Sequence, residues 1–579
     1  MNLAIGQLDL AIIGLYLAGV VALGCYAGFV SRRGRGEGSQ YFLAGNSLTW
    51  PIIGLSMFAA NISTVHLVSL AEAAYKYGLV FGNFEWMAGF TLILLSLFFA
   101  PLYLRSRVPT LPDFLERRFN RKCRDILSVI SLFSAIVIHI GIALYTAAWV
   151  LRGILGLRPG ATILGLDSLL FFIIALGLLT GLYTMLGGLL AVVWTESIQT
   201  VLLLVGAVVI TAAAWIKIGG WGQMASILAT HVHPLAGTAP DIPASTANFL
   251  SMSRDASDLS GLPWYSILLG YPVIGIWYWC ADQTIVQRVM AARDETQARL
   301  GPLFCSFLKI LPVFFFVLPG TICVALVQKG AFGGSAPLVA ADTYTFMITR
   351  LLPAGLKGLV TAAMLAAAMQ TCSAALNSTA TLFAYDIFKR LRPGTTDHGL
   401  VIVGKITTVV ATMLAILWSP LFSHYSTIYD GLARLISYIS PPITAVFLLG
   451  VFWKRASGRG AYITLVTGGL LGATMFALDF FGRSTGRWLS NHGVPGAREL
   501  FDAIYRIAVK DFMLTAFCLL LVCCAVLVAA SLRYPEPLKD EARELVWDDW
   551  RAPLRAAGSY RMVAAAVAAT LVILYVVFS

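Results

Sequence analysis

Apolar residues run through this chain in blocks of about 20 or more, the length needed to cross the hydrocarbon core of a bilayer. Counting the blocks predicts about fourteen spanning helices. They lie near 8–30, 48–72, 83–105, 122–153, 161–184, 189–218, 264–290, 301–328, 355–390, 398–421, 425–453, 458–482, 510–533 and 560–579. Two blocks are interrupted. Ala59-Ala60-Asn61-Ile62-Ser63-Thr64-Val65-His66 puts an amide, two hydroxyls and an imidazole inside an apolar run. Lipid cannot satisfy those groups, so they must face protein, water or a ligand. Gly270-Tyr271-Pro272-Val273-Ile274-Gly275 interrupts a later run. Paired interruptions in corresponding halves of a membrane chain point to a binding site at broken helices.

Charge then orients the spans. Ser31-Arg32-Arg33-Gly34-Arg35, the stretch from Arg105 to Arg124, the trio Arg288, Arg293 and Arg299, Lys389-Arg390-Leu391-Arg392, and Lys454-Arg455 with Arg459 follow odd-numbered spans. All therefore fall on one side, which the positive-inside rule makes cytoplasmic. Both termini then lie outside, with the weakly basic loops 219–263, 329–354 and 483–509 as caps over the outer mouth. The mixed-charge, proline-bearing stretch 534–559 reads as a cytoplasmic linker.

The 579 residues are 58% hydrophobic and 12% charged, which selects an all-α polytopic membrane protein over any soluble class. The net charge of +12 sits in short loops, where topology explains it, so no nucleic-acid partner is implied. The nine cysteines lie mostly in apolar runs without metal-ligand spacing and read as buried thiols. Glycine pairs such as Gly187-Gly188 lack a following Gly-Lys-Ser/Thr and read as packing or bending glycines, not as a nucleotide loop. No paired catalytic groups appear that would make the chain an enzyme.

Hydropathy shows two sets of five spans, 48–218 and 264–453. An odd number of spans per unit inverts the second unit relative to the first. The remaining divisions are a peripheral helix and loop at 1–47, the loop 219–263, peripheral helices at 454–533, the linker 534–559 and a last span at 560–579.

Several blocks occur in an order that resembles the sodium:solute symporters, and most closely their sodium/glucose cotransporter branch. They are Tyr41-Phe42-Leu43-Ala44-Gly45, Ala59-Ala60-Asn61-Ile62-Ser63, Phe84-Glu85-Trp86, Tyr183 through Glu196, Trp277-Tyr278-Trp279-Cys280-Ala281-Asp282-Gln283, Leu308-Lys309-Ile310-Leu311-Pro312, Leu376-Asn377-Ser378-Thr379, and Pro441-Pro442 through Arg455. The resemblance covers roughly residues 8 to 455. It implies fourteen helices around two inverted five-helix repeats (the LeuT-like fold), alternating access, and residence in a plasma or inner membrane with no obligate protein partner.

The same resemblance implies site residues. Asn61 and His66 match solute-contacting positions. Glu85 and Lys309 are intramembrane charges that need pairing or hydration. They read either as a structural ion pair or as an acceptor and a donor gripping hydroxyls, and the resemblance favours the second. Tyr278 matches a gate tyrosine, Trp279 its pocket neighbour, and Phe84 closes from the other side. Sodium is expected at the main-chain carbonyls of Ala59, Ile62 and Ala367 with side-chain oxygens of Gln370 and Thr371. Gln370 replaces a serine, and it reads equally as a ligand, since hard cations need only oxygens, or as a helix–helix hydrogen-bonder. Glu196 reads as part of a second ion site or release path, or as a solvated helix end. His139 reads better as a satisfied core histidine than as a pocket member. Ala433, beside Arg434, and Gly275 stand where relatives carry polar side chains, which weakens the hexose assignment. The expectation is sodium-coupled symport of a sugar. Its rivals are symport of an inositol, amino sugar, carboxylate or amino acid, and a sodium-independent facilitator or sensor.

Overall fold

A computed structural model describes residues 6–31, 41–157, 160–230, 232–238, 242–337, 340–424, 428–492, 494, 496–505, 511–555 and 558–579. The basic loop Arg32-Arg33-Gly34-Arg35 lies outside the described residues. Every predicted block falls on helix, and twelve helical runs among the described residues are long and apolar enough to cross a membrane. The block at 161–184 starts later than expected. A two-stranded hairpin, Thr162–Ile163 with Leu166–Asp167, precedes it. The Asp167 carboxylate then accepts from the amide of Leu169 at 2.9 Å and starts the helix at Ser168.

The two predicted breaks fare differently. The first is where the polar residues place it. Helix Trp50–Asn61 stops, Ile62 and Ser63 are extended, and helix Thr64–Tyr77 begins. The second is not at 270–275. Helix Trp264–Ile276 runs straight through Pro272, widens into a π-helical turn over Trp277–Ala281, and breaks only at Asp282 (φ −91°, ψ 125°). Gly270 serves packing instead. A methyl group there would sit 2.3 Å from the carbonyl oxygen of Met513, on helix Phe512–Arg533. The conformational freedom of glycine is used at Gly188 (φ 61°, ψ −168°), which separates two spans inside the run Ser168–Ile218.

Loop charges are also less exposed than the pattern suggests. Arg118 is buried and donates to the carbonyls of Gly450 (2.7 Å), Trp453 (3.1 Å) and Ala456 (3.3 Å). It thereby satisfies carbonyls at the end of helix Ile428–Phe452. Burial lowers its pKa to about 10, which still leaves it charged at neutral pH. Arg288 and Arg299, expected in a loop, are buried on helices Gln283–Met290 and Glu295–Leu308. Each has found a carboxylate, Glu196 and Glu295 respectively.

Two extramembrane segments fasten the bundle. The loop 219–263 covers the end of helix Thr64–Tyr77. His233 Nε2 meets the Tyr75 carbonyl at 2.8 Å, and Arg254 donates to the Tyr77 carbonyl at 3.0 Å. The stretch 540–555 does not hang free as a linker would. Trp547 donates through its backbone to Val451 (3.0 Å) and through its indole to Phe98 (3.0 Å), and Lys454 pairs with Asp548 at 2.7 Å.

Candidate functional site

The first break is held open by its own side chains. The Ser63 amide, which helix would have bonded to Ala59, donates to His66 Nδ1 at 3.3 Å, and the Ser63 hydroxyl lies 3.2 Å from the same nitrogen. With Nδ1 accepting, a neutral imidazole carries its proton on Nε2. Thr64 donates its hydroxyl to the Met364 carbonyl at 2.8 Å and docks the break against helix Leu356–Leu382. Because Ile62 and Ser63 are not helical, the last carbonyls of the 50–61 helix lose their i+4 amide partners.

Lys309 reaches the same place through a second irregularity. Pro312 has no N–H, so helix Glu295–Leu308 ends in a turn at Lys309 and Ile310. The indole of Trp86 takes the Ile310 carbonyl at 3.3 Å. The ammonium of Lys309 is thereby turned into the bundle. It donates to Asn61 Oδ1 at 2.6 Å and is in direct contact with the carboxylate of Glu85, and it lies 5.6 Å from the centre of the Trp279 ring. Glu85 sits in the first turn of helix Asn83–Leu94, where the positive helix end favours a carboxylate.

These groups surround one cavity of about 130 Å³. All seven residues expected to contact solute line it: Asn61, His66, Phe84, Glu85, Tyr278, Trp279 and Lys309. Thr371, Gly275 and Ala433 line it too. So does His139, which the sequence places better as a core residue. It is at once buried and on the cavity wall, with Nε2 3.3 Å from Asp282 Oδ2 and its ring 5.9 Å from that of Tyr278.

Of the five expected ion ligands, only Thr371 lines the cavity. Ala59, Ile62, Ala367 and Gln370 are fully buried and do not line the cavity. Thr371 gives its proton to the Ala367 carbonyl at 3.3 Å, which leaves its oxygen lone pairs to accept a cation. Gln370 donates weakly to the Glu196 carbonyl at 3.4 Å, while its Oε1 is buried without a hydrogen-bond partner. A buried carbonyl oxygen without a partner suits a hard monovalent cation.

Glu196 is neither a solvated helix end nor close to the cavity. It is completely buried against Arg288 at 2.7 Å, with the Ser56 hydroxyl on its other oxygen and Arg288 Nε donating to Ser56 at 3.0 Å. The cluster pins helices 50–61, 168–218 and 283–290 together. Arg288, Ser56, His139 and Asp282 were not identifiable by spacing, because their partners lie far away in sequence.

Comparison with known proteins bears on the class to which the chain belongs. Residues 41–468 match the model of the Sodium:solute symporter family. A sodium/mannose cotransporter of Bos taurus is 34% identical over 560 residues, covering 93% of this chain and 89% of that protein. Sodium/glucose cotransporter 2 of Rattus norvegicus is 33% identical over 494 residues (82% and 72% covered). A sodium/myo-inositol cotransporter of Mus musculus is 32% identical over 569 residues (94% and 76%). Among solved structures, a Na+-coupled sialic acid symporter in a substrate-bound outward-open state superposes with a TM-score of 0.72 over 92% of this chain and 99% of that one, at 22% identity.

Proposed function

Because the chain belongs to the sodium:solute symporter family, we propose that it is a secondary active transporter in which inward sodium movement drives uptake of a small polyhydroxylated solute, with a hexose the first candidate. The observation that carries this reading is the meeting of Asn61, Glu85 and Lys309 at the first helix break, on the wall of a buried cavity. A neutral polyol needs both donors and acceptors at short range, and a lysine, an amide and a carboxylate supply them. Three relatives are cotransporters of mannose, glucose and myo-inositol, all of that chemical class.

In this reading His66 and Trp279 complete the solute contacts, Phe84 and Tyr278 close the two ends, and sodium is carried by Ala59, Ile62, Ala367, Gln370 and Thr371. Ion binding at the break favours the outward-facing state by its higher affinity for that state. In this reading the chain forms fourteen spans, ten of them in two inverted repeats of five, and both termini lie outside a cell membrane, which the positive-inside rule supports.

Purified protein in proteoliposomes tests the proposal. Uptake of D-glucose, D-mannose and myo-inositol is compared with and without an inward sodium gradient. Accumulation above the external concentration, only with the gradient and only for solutes of this class, is the expected result. Equal entry without accumulation would instead identify a facilitator, the rival that the Gln370 amide contact with Glu196 favours. Uptake restricted to carboxylates or amino acids would overturn the sugar assignment.

A further inference from the structure

The cavity has one polar contact that leads away from it. His139 lies on helix Arg121–Phe133 and its π-helical continuation Ser134–Gly141. Its Nε2 faces Asp282 Oδ2 at 3.3 Å, and both side chains are buried. Asp282 is the residue at which the 264–290 segment breaks. Its other oxygen, Oδ1, accepts from the amide of Thr284 at 2.7 Å and so starts helix 283–290. One carboxylate therefore joins a cavity-lining imidazole to the first turn of a short helix. That helix is linked by side chains to several surrounding elements. Gln283 holds the Leu111 amide (2.8 Å), Gln287 donates to the Phe42 carbonyl and Thr381 (both 2.7 Å), and Arg288 holds Glu196.

The surroundings fit a moving joint. Both partners border π-helical turns, 134–141 and 277–281, where the backbone ladder is already shifted by a residue. Such bulges recur at functional sites in helices. Tyr278, in the second of these turns, packs against the His139 ring at 5.9 Å. A solute that touches His139 competes for the imidazole that Asp282 now holds. The carboxylate is then free to shift with the helix it caps.

We propose that the His139–Asp282 pair is a positioning device: it reads whether the cavity is filled and passes that state to helix 283–290, whose movement opens the release path. The inference rests on the transporter reading above. It assigns His139 to the rate of release more than to the strength of solute binding. A purely structural histidine would instead affect folding, or binding and rate together.

The test uses the full chain in proteoliposomes, with whichever of D-glucose, D-mannose or myo-inositol the wild type takes up best as the probe. Equilibrium binding of the probe and its maximal transport rate are measured for His139→Phe, His139→Gln and Asp282→Asn. His139→Phe is expected to lower the rate about ten-fold or more, with probe affinity falling by a smaller factor from the lost wall contact. His139→Gln, whose amide can still donate to Asp282, is expected to recover much of the rate. If His139→Phe does not fold, Asp282→Asn serves in its place. It keeps an oxygen for the Thr284 amide but alters the partner of His139, and it is expected to show the same split. A normal rate in either folded variant, or a matched fall in affinity and rate, overturns the inference. Failure of the wild type to transport any of the three probes would instead strike the transporter reading itself.

Discussion

Glu85–Lys309 and Glu196–Arg288 are both carboxylate–cation pairs sealed in the helix bundle, with side chains 2% and 2% exposed in the first and 0% and 0% in the second. Only the first lines the cavity. The difference lies in what surrounds each cation. Arg288 spends its planar fork on Ser56, the Thr284 carbonyl and Glu196. Lys309 has three protons, and two are used, on Asn61 and Glu85. All three guanidinium nitrogens meet protein oxygens, and through Ser56 and Glu196 they tie three helices into one unit. An ammonium on the cavity wall, on a flexible stem and with a donor to spare, is ready for a hydroxyl. Burial of charge alone therefore does not separate a site from a brace, whereas a place on the cavity wall does.

The sharpest way to break this contrast is to remove one partner of the pair that lies off the cavity. Arg288→Met leaves the Glu196 carboxylate buried and uncompensated, at a cost of about 3–5 kcal/mol. The melting temperature in detergent should drop steeply or folded protein should be lost. Adding Glu196→Gln should restore most of it. An unchanged melting temperature in the single variant would show that the pair is not a brace.

Lys309→Met should behave differently. The cavity gives Glu85 access to water or a proton, so the fold should persist. Solute affinity should fall by about ten- to a hundred-fold, the worth of one charge-assisted hydrogen bond. Isothermal titration or radioligand binding on the purified protein reads this out. Loss of folding as severe as in Arg288→Met would erase the distinction between the two pairs.

Gln370 sits between the two regions and should give the smallest effect. Gln370→Ala removes one neutral oxygen, about 0.5–1.5 kcal/mol. The sodium concentration for half-maximal uptake should rise about two- to ten-fold, with solute affinity at saturating sodium unchanged. A flat response to the substitution would make Gln370 a helix–helix contact and nothing more.

How much of this was legible varies by residue. The break at Ile62–Ser63 is announced locally, because Asn61, Ser63, Thr64 and His66 cannot face lipid. The break at Asp282 is not. Pro272 with its flanking glycines is the louder signal, yet tertiary packing against Met513 keeps that stretch helical. The seven cavity residues come from four separate parts of the sequence that periodicity could not have joined. Arg288 misleads for a physical reason. A cation near the end of an apolar block reads as a loop charge until its partner, Glu196, is seen across the bundle. His139 likewise needs Asp282 in view before its burial and its place on the cavity wall stop being alternatives.

Gly270 carries a consequence for how this chain can drift over generations. Its neighbours Leu268 and Leu269 are 56% and 37% exposed on the bundle surface, where one apolar side chain is as good as another. At 270 even alanine would collide with the backbone of Met513. A lineage can exchange the flanking leucines freely, but it can give up this glycine only by first prying two helices apart. Descendants of the chain should therefore keep that hydrogen in place of a side chain long after the residues around it have become unrecognisable.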